Sequence, residues 1–194
     1  FIFQPAEEVG AGGRRLCEDG ALENPKPEAI FGLHGAPGLP QGQIGTCHGA
    51  FLASADTFEI DIEGQGTHAA FPHTGIDPVL IASQIVVALQ TIVSRNIDPL
   101  SPAVVTVGQI IAGTATNVIP STAQLRGTVR ALDEDMRAHV LERVVHIATH
   151  VVESMNGSAE VHIENGYPIL NNNPRAKQTL ETIITESNTA KIVD

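Results

Sequence analysis

The sequence is poor in several things that a polypeptide can use to staple itself together or to reach a partner. It has no tryptophan, one tyrosine and two cysteines, Cys17 and Cys47. Two cysteines exclude a disulfide framework and a four-cysteine zinc site, and they read as reduced thiols of a cytoplasmic protein, with one disulfide left open. Basic residues are scarce: 11 Lys and Arg against 22 Asp and Glu give a formal net charge of −11 at pH 7. That balance argues against a nucleic-acid or an anionic-membrane partner, because both need a basic footprint. Long hydrophobic runs are missing too. The longest apolar stretch, from Val79 to Val93, is interrupted by Ser83, Gln84, Gln90 and Thr91 and reads as too short and too polar to span a bilayer. There is no initiating methionine and no basic leader; the chain opens on Phe1-Ile2-Phe3, which reads as a start inside a longer protein.

What is present suits a packed core. Of 194 residues 42% are hydrophobic and 17% charged, enough for one domain or two small ones. Phe1 to Gln4 and Ala29 to Leu33 read as short buried strands, each a continuous apolar run ended by a turn signal. A short helix is expected between Gly10 and Asp19, and a loop from Ala36 to Gly45, which is dense in Gly and Pro.

The texture changes near Gly49. In the segment Ala55 to Glu63, Phe58, Ile60 and Ile62 alternate with Thr57, Glu59 and Asp61, the period of a strand with one buried face. Asp77-Pro78 opens a helix to about Arg95, followed by strands over Ala103 to Ile111 and Ala123 to Leu132. Asp133 caps a helix to about Met155, and Ala159 to Glu164 alternates as a last strand. The order β-α-β-β-α-β is the split-βαβ, ferredoxin-like pattern. Asn171 to Asn173 then cap a final helix from about Pro174 to Glu186. Two textures are therefore interleaved, an α/β type at both ends and an inserted α+β domain between them.

Few residues have the chemistry and the setting for a site. Glu7 and Glu8 follow the first expected strand, and His34 ends the second; in open α/β sheets strand carboxyl ends face the ligand crevice. Carboxylate and imidazole suit a first-row divalent metal, while a solvated acidic pair and a rim histidine remain the plain alternatives. Gly10-Ala11-Gly12-Gly13 has a dinucleotide flavour, but Arg15 stands where the fingerprint needs its third glycine. His68 sits among small residues in Gly66-Thr67-His68-Ala69-Ala70-Phe71-Pro72-His73, open to close approach by another chain or substrate, or else simply a loop residue before the Asp77 helix. His146 and His150 are one helical turn apart without a glutamate in a metalloprotease frame, and Cys47-His48 has no further ligand close in sequence.

Four motifs stand in order: Phe3-Gln4-Pro5-Ala6-Glu7-Glu8, Phe31-Gly32-Leu33-His34-Gly35, Gly66 to His73, and Ala115-Thr116-Asn117-Val118-Ile119-Pro120 leading to Arg126-Gly127-Thr128-Val129-Arg130. Together they resemble the M20 metallopeptidase superfamily, and within it the amidohydrolase branch of hippurate hydrolases, N-acyl-amino-acid amidohydrolases and indole-acetyl-amino-acid hydrolases. The resemblance implies an α/β catalytic domain with two divalent metal ions (zinc, manganese, cobalt or nickel) and an inserted ferredoxin-like lid. It divides the chain into catalytic residues 1–48, a lid and dimerisation domain at 49–165, and a return into the catalytic domain at 166–194. By position it makes Glu7 the general base, Glu8 and His34 metal ligands, and His68 the lid histidine that reaches the substrate carbonyl in the partner subunit. Asn117 and Arg130 become substrate-binding residues.

The implied reaction is hydrolysis of N-acyl amino acids by a cytoplasmic homodimer joined through the lid. The alternatives are a non-catalytic dimerisation or binding module of the same fold, and a peptidase of the same superfamily. The family's upstream Cys-Gly-His-Asp type motif and its C-terminal histidine are not in this sequence. The resemblance thus implies an incomplete metal centre, an inactive isolated chain and a longer active parent.

Overall fold

In the computed structural model of the chain, which describes residues 1–7 and 12–193, the polypeptide divides into two compact units: Phe1–Leu52 with Leu170–Asp194, and Ala53–Ile169. In chain order the elements begin with α1 (Gly12–Glu18), β1 (Gln43–Gly45), β2 (Gly49–Leu52), β3 (Ala55–Glu63) and β4 (Thr67–His68). A 3-10 turn (Pro72–Thr74) leads to α2 (Pro78–Thr91), which a π turn (Ile92–Asn96) extends. Then come β5 (Ala103–Ala112), β6 (Val118–Ile119), β7 (Thr122–Ala131), α3 (Glu134–Ser154), β8 (Ser158–Tyr167), β9 (Leu170–Asn172), α4 (Pro174–Ser187) and β10 (Lys191–Val193).

The inserted unit is built on a four-stranded antiparallel sheet in the order β5-β7-β3-β8. Alternation along β3 puts Phe58, Ile60 and Ile62 on one face, and the register sets Ile60 opposite Leu125 on β7 and Val161 on β8. Helices α2 and α3 cover that face. On α2 the buried residues Ile81, Ile85 and Leu89 recur every four residues, and Ile92 continues the stripe. On α3 the stripe is Val140, Val144, Ile147 and Val152. Each such aliphatic side chain stabilises the fold by about 1.5–3 kcal/mol when fully removed from water. The caps are those the sequence suggested: Asp77 Oδ1 accepts from the amides of Val79 (2.9 Å) and Leu80 (3.3 Å), and Asp133 Oδ1 from that of Met136 (2.9 Å).

Continuous helix from Pro78 to Asn96 is 19 residues and apolar enough to cross a membrane by length and composition. The expectation that Val79 to Val93 is too short and too polar to span a bilayer is therefore corrected on both length and composition. Ile81, Ile85, Leu89 and Ile92 are buried in the unit's core, while Val79, Leu80, Val87 and Val93 of the same helix are exposed. Among the described residues the opposite face of the sheet carries no helix; on it Arg126 pairs with Glu59 at 2.7 Å, and Gln124 donates to Glu59 (2.9 Å) and Asp61 (2.6 Å), beside the exposed Val104 and Ile111.

One buried ion pair ties α3 to the sheet. Asp56, fully buried, accepts from Arg137 Nε at 2.8 Å and Nη2 at 2.6 Å, and from the Gly166 amide at 3.1 Å. The Asp56 hydrogen bond pushes the guanidinium still further above its ordinary range, against the opposing effect of burial.

The other unit has two small ladders. β1 runs parallel to β10, with Gln43 opposite Lys191 and Gly45 opposite Val193, and β2 pairs antiparallel with β9. Helix α4 is capped by Asn173, whose side chain accepts from the amides of Arg175 (3.0 Å) and Ala176 (3.2 Å), and it ends at Asn188 with φ 52°. Two expectations fail here. Phe1 to Gln4 and Ala29 to Leu33 are irregular and exposed, Phe3 and Leu33 each to 89%. A strand exists only as one side of a ladder, and among the described residues neither segment has a pairing partner. The expected loop from Ala36 to Gly45 ends instead in the three residues of β1.

Candidate functional site

Glu7 and His34, in the first unit, lie in exposed, irregular chain. Glu7 is exposed at a bend, and Glu8 lies outside the described residues. The imidazole of His34 is also exposed, with Nδ1 2.7 Å from the carbonyl oxygen of Gly35. A carbonyl only accepts, so in the neutral ring Nδ1 holds the proton and Nε2 keeps its lone pair, the tautomer that can bind a metal through Nε2. The donor count is another matter. Among the described residues no group of three His, Cys, Asp or Glu side chains is placed to hold a metal ion. A catalytic centre of this kind uses three or more protein ligands, so the described residues do not by themselves fit one.

In the inserted unit His68 is better framed. It closes the two-residue strand β4, which pairs antiparallel with β6 so that His68 faces Val118 and Thr67 faces Ile119. The Ala69 amide donates to the carbonyl of Asn117 at 2.9 Å, and the Phe71 amide to that of His68 at 2.8 Å. The Ala70 amide donates to His68 Nδ1 at 3.1 Å. An amide cannot accept, so the neutral ring carries its proton on Nε2, on an exposed side chain. The Phe71 ring lies 5.8 Å from the imidazole, centroid to centroid, and 6.5 Å from that of His73.

The structure brings Asn117 beside His68 through the β4–β6 pairing, but not Arg130. The Gly64 amide bonds to Ser121, and Glu63 faces Thr122, so the His68 loop leaves the sheet at the start of β7. Arg130, opposite Val104, is eight residues further along that strand, about 25 Å at the rise of an extended chain.

The remaining histidine candidates have local explanations. His150 Nδ1 lies 2.7 Å from the carbonyl of His146, with the two ring centroids 4.0 Å apart and the planes tilted by 34° along α3. Cys47 donates to the Ala50 carbonyl at 3.4 Å, within the turn into β2. His48 leads to a group that the sequence reading missed. Lys177, with its side chain 4% exposed, pairs with Glu181 on α4 and lies 3.3 Å from His48 Nε2. The i,i+4 spacing of Lys177 and Glu181 was visible in the sequence; their meeting with His48, 129 positions away, was not.

Comparison with known proteins places these features in a lineage. The family model described as the peptidase dimerisation domain matches residues 53–156. The chain is 44% identical over 172 residues to the N-acetyl-L-cysteine deacetylase of Bacillus subtilis, covering 89% of this chain and 41% of that protein. It is 39% identical over 195 residues to the N-acetyldiaminopimelate deacetylase of Streptococcus uberis, covering 100% of this chain and 52% of that one. The crystal structure of the Bacillus subtilis YXEP protein, a dinuclear metal binding peptidase from the M20 family, superposes with a TM-score of 0.80 at 34% identity, over 100% of this chain and 48% of its own. The chain thus spans about half the length of the curated relatives it matches.

Proposed function

The chain belongs to the M20 peptidase family, and from that premise we propose that the whole protein hydrolyses the amide bond of N-acyl amino acids as a cytoplasmic homodimer. The observation that carries the reading is the His68 loop. A neutral imidazole whose Nδ1 is occupied by a backbone amide offers Nε2–H as a fixed donor, the group needed where a carbonyl oxygen becomes negative during amide attack. Glu7 is the proton acceptor for the attacking water and returns that proton to the leaving amine. Divalent ions would supply Lewis acidity. Because Glu8 and His34 are two donors of a set that the described residues do not complete, the steps assigned to this chain are those of Glu7 and His68 alone.

Residues 49–165 form, in this reading, a ferredoxin-like lid between the catalytic segments 1–48 and 166–194, with Asn117 and Arg130 as substrate contacts. The lid is also the dimer contact, so that His68 serves the partner's site. The description of the matched family as a dimerisation domain supports this, as does the outer edge of β5, the end strand of the sheet, which exposes Val104, Ile110 and Ile111.

The substrate class is supported by the relatives, which are named as deacetylases of N-acetyl-L-cysteine and N-acetyldiaminopimelate. The test is an assay of the intact protein with divalent metal on N-acetyl-L-cysteine, N-acetyldiaminopimelate and hippurate, following release of the free amino acid. Hydrolysis of at least one is expected, falling by a factor of about 10²–10⁴ in Glu7→Gln with metal content retained. Loss of metal instead would reverse the roles of Glu7 and Glu8. A well-folded dimer inert towards all three would favour the non-catalytic binding module.

A further inference from the structure

The segment between β3 and α2 closes on itself. Gln65 and Ile76 exchange both backbone hydrogen bonds, Gln65 N–H to the Ile76 oxygen at 2.9 Å and Ile76 N–H to the Gln65 oxygen at 3.0 Å. Inside that closure the hydroxyls of Thr67 and Thr74 are 2.7 Å apart, and the Thr74 hydroxyl lies 2.8 Å from the carbonyl oxygen of Phe71. A hydroxyl has one proton to give, and a carbonyl can only accept. Thr74 therefore donates to Phe71, and Thr67 must donate to Thr74. The relay has a single direction, from Thr67 through Thr74 to the Phe71 carbonyl.

Both ends of this relay adjoin His68. Thr67 is its covalent neighbour, and the Phe71 amide closes the turn onto the His68 carbonyl at 2.8 Å. Within that turn sits the Ala70 amide that occupies His68 Nδ1. Gly75 makes the approach sterically feasible: a Cβ there would lie 2.6 Å from Thr67 Cγ2 and 2.5 Å from the Gln65 carbonyl oxygen. We propose that Thr67 and Thr74 are positioning residues that hold the 68–71 turn so that the Ala70 amide locks His68 in its Nε2–H tautomer. The functional consequence rests on the reading of His68 given above; the tautomer itself does not.

Two readouts keep these apart. Long-range proton–nitrogen NMR of the chain reads the His68 tautomer, and steady-state kinetics of the intact enzyme read kcat and KM. Thr74→Val removes the relay's central hydroxyl at an exposed position without changing the side chain's shape, and Thr67→Val cuts the same relay from its other end. Each is expected to shift His68 to a tautomer mixture and to lower kcat about tenfold, with KM changed by less than about twofold. The double variant should be no worse than the poorer single one, because both changes break one unit. Thr74→Ser, which keeps the hydroxyl, should restore both readouts. Valine variants that retain the pure Nε2–H tautomer overturn the proposal, whatever their kcat. If His68→Ala leaves turnover unchanged, the catalytic reading of His68 fails, while a tautomer shift in Thr74→Val still supports the relay.

Discussion

The two units differ in what holds their candidate residues. Among the described residues, every buried apolar side chain except Ile184 belongs to the inserted unit. That unit presents His68 from a loop closed by its own backbone and hydroxyl bonds. The other unit carries Glu7 and His34 on irregular chain, with the His34 ring bonded to the carbonyl of the very next residue. Side-chain geometry needs a scaffold that does not move when the side chain is loaded, and here only one unit supplies such a scaffold from its own residues. The contrast predicts that substitutions in the inserted unit act through packing and electrostatics, and that the exposed apolar positions in the other unit are nearly silent in this chain.

The largest effect is expected at the buried pair. Arg137→Ala leaves the Asp56 carboxylate buried with the Gly166 amide as its remaining partner, a change that costs about 3–5 kcal/mol. Urea denaturation of the chain should show it as a lower midpoint at unchanged slope. The guanidinium's pKa is raised, so its contribution is fully present below the unfolded-state value and is lost only as pH rises through the still higher folded one. Both lie far above neutrality, and the deficit should not shrink between about pH 6 and 9. A loss under about 1 kcal/mol would mean that Asp56 is not isolated from water, and the inserted unit would lose its claim to a dry, self-sufficient interior.

How much of this could be read from the sequence depends on whether the deciding contact is local. Phe58, Ile60 and Ile62 announce β3 by alternation, and the strand spans the same residues, Ala55–Glu63, that the pattern marked. Asp77 and Asp133 announce helix starts because a cap acts within three residues. Apolar runs at Phe1 to Gln4 and Ala29 to Leu33 misled for the converse reason, since hydrophobicity invites burial but cannot state that a ladder partner exists. The pairing of β1 with β10 joins Ile44 to Ile192 across most of the chain, in stretches too short to show a period. At the candidate site, His68 stood out by its neighbours. Its tautomer did not, because that depends on the Ala70 amide and on two threonines seven positions apart that meet only after the loop closes.

A middle-sized effect is expected where the sheet leaves no room. Gly127 on β7 faces the ring of Phe58, and a Cβ there would lie 2.2 Å from Phe58 Cζ and 2.3 Å from the Thr106 carbonyl oxygen. Phe58 is 2% exposed and has nowhere to swing, while the carbonyl belongs to the β5–β7 ladder. Gly127→Ala should therefore destabilise by about 1–3 kcal/mol in the same urea experiment. A neutral result would show that the central strands can part to admit a methyl group, which would weaken the contrast from the side of the inserted unit.

The smallest effect tests the contrast from the other side. Leu33 is 89% exposed and adjoins His34, in a segment without a ladder partner among the described residues. Truncating a side chain that is already in water removes almost no buried area, so Leu33→Ala should change the unfolding free energy of this chain by less than about 0.5 kcal/mol. In the intact protein the same substitution becomes informative. An apolar run beside a candidate metal ligand is the composition of a strand buried on both faces, and a strand so placed would lose about 2–5 kcal/mol on the same truncation. A silent change in the chain with a large one in the intact protein means that the rest of the polypeptide supplies the scaffold His34 lacks here. A large change already in the chain means that the 29–33 segment packs in solution, and the division between a self-sufficient unit and a dependent one fails.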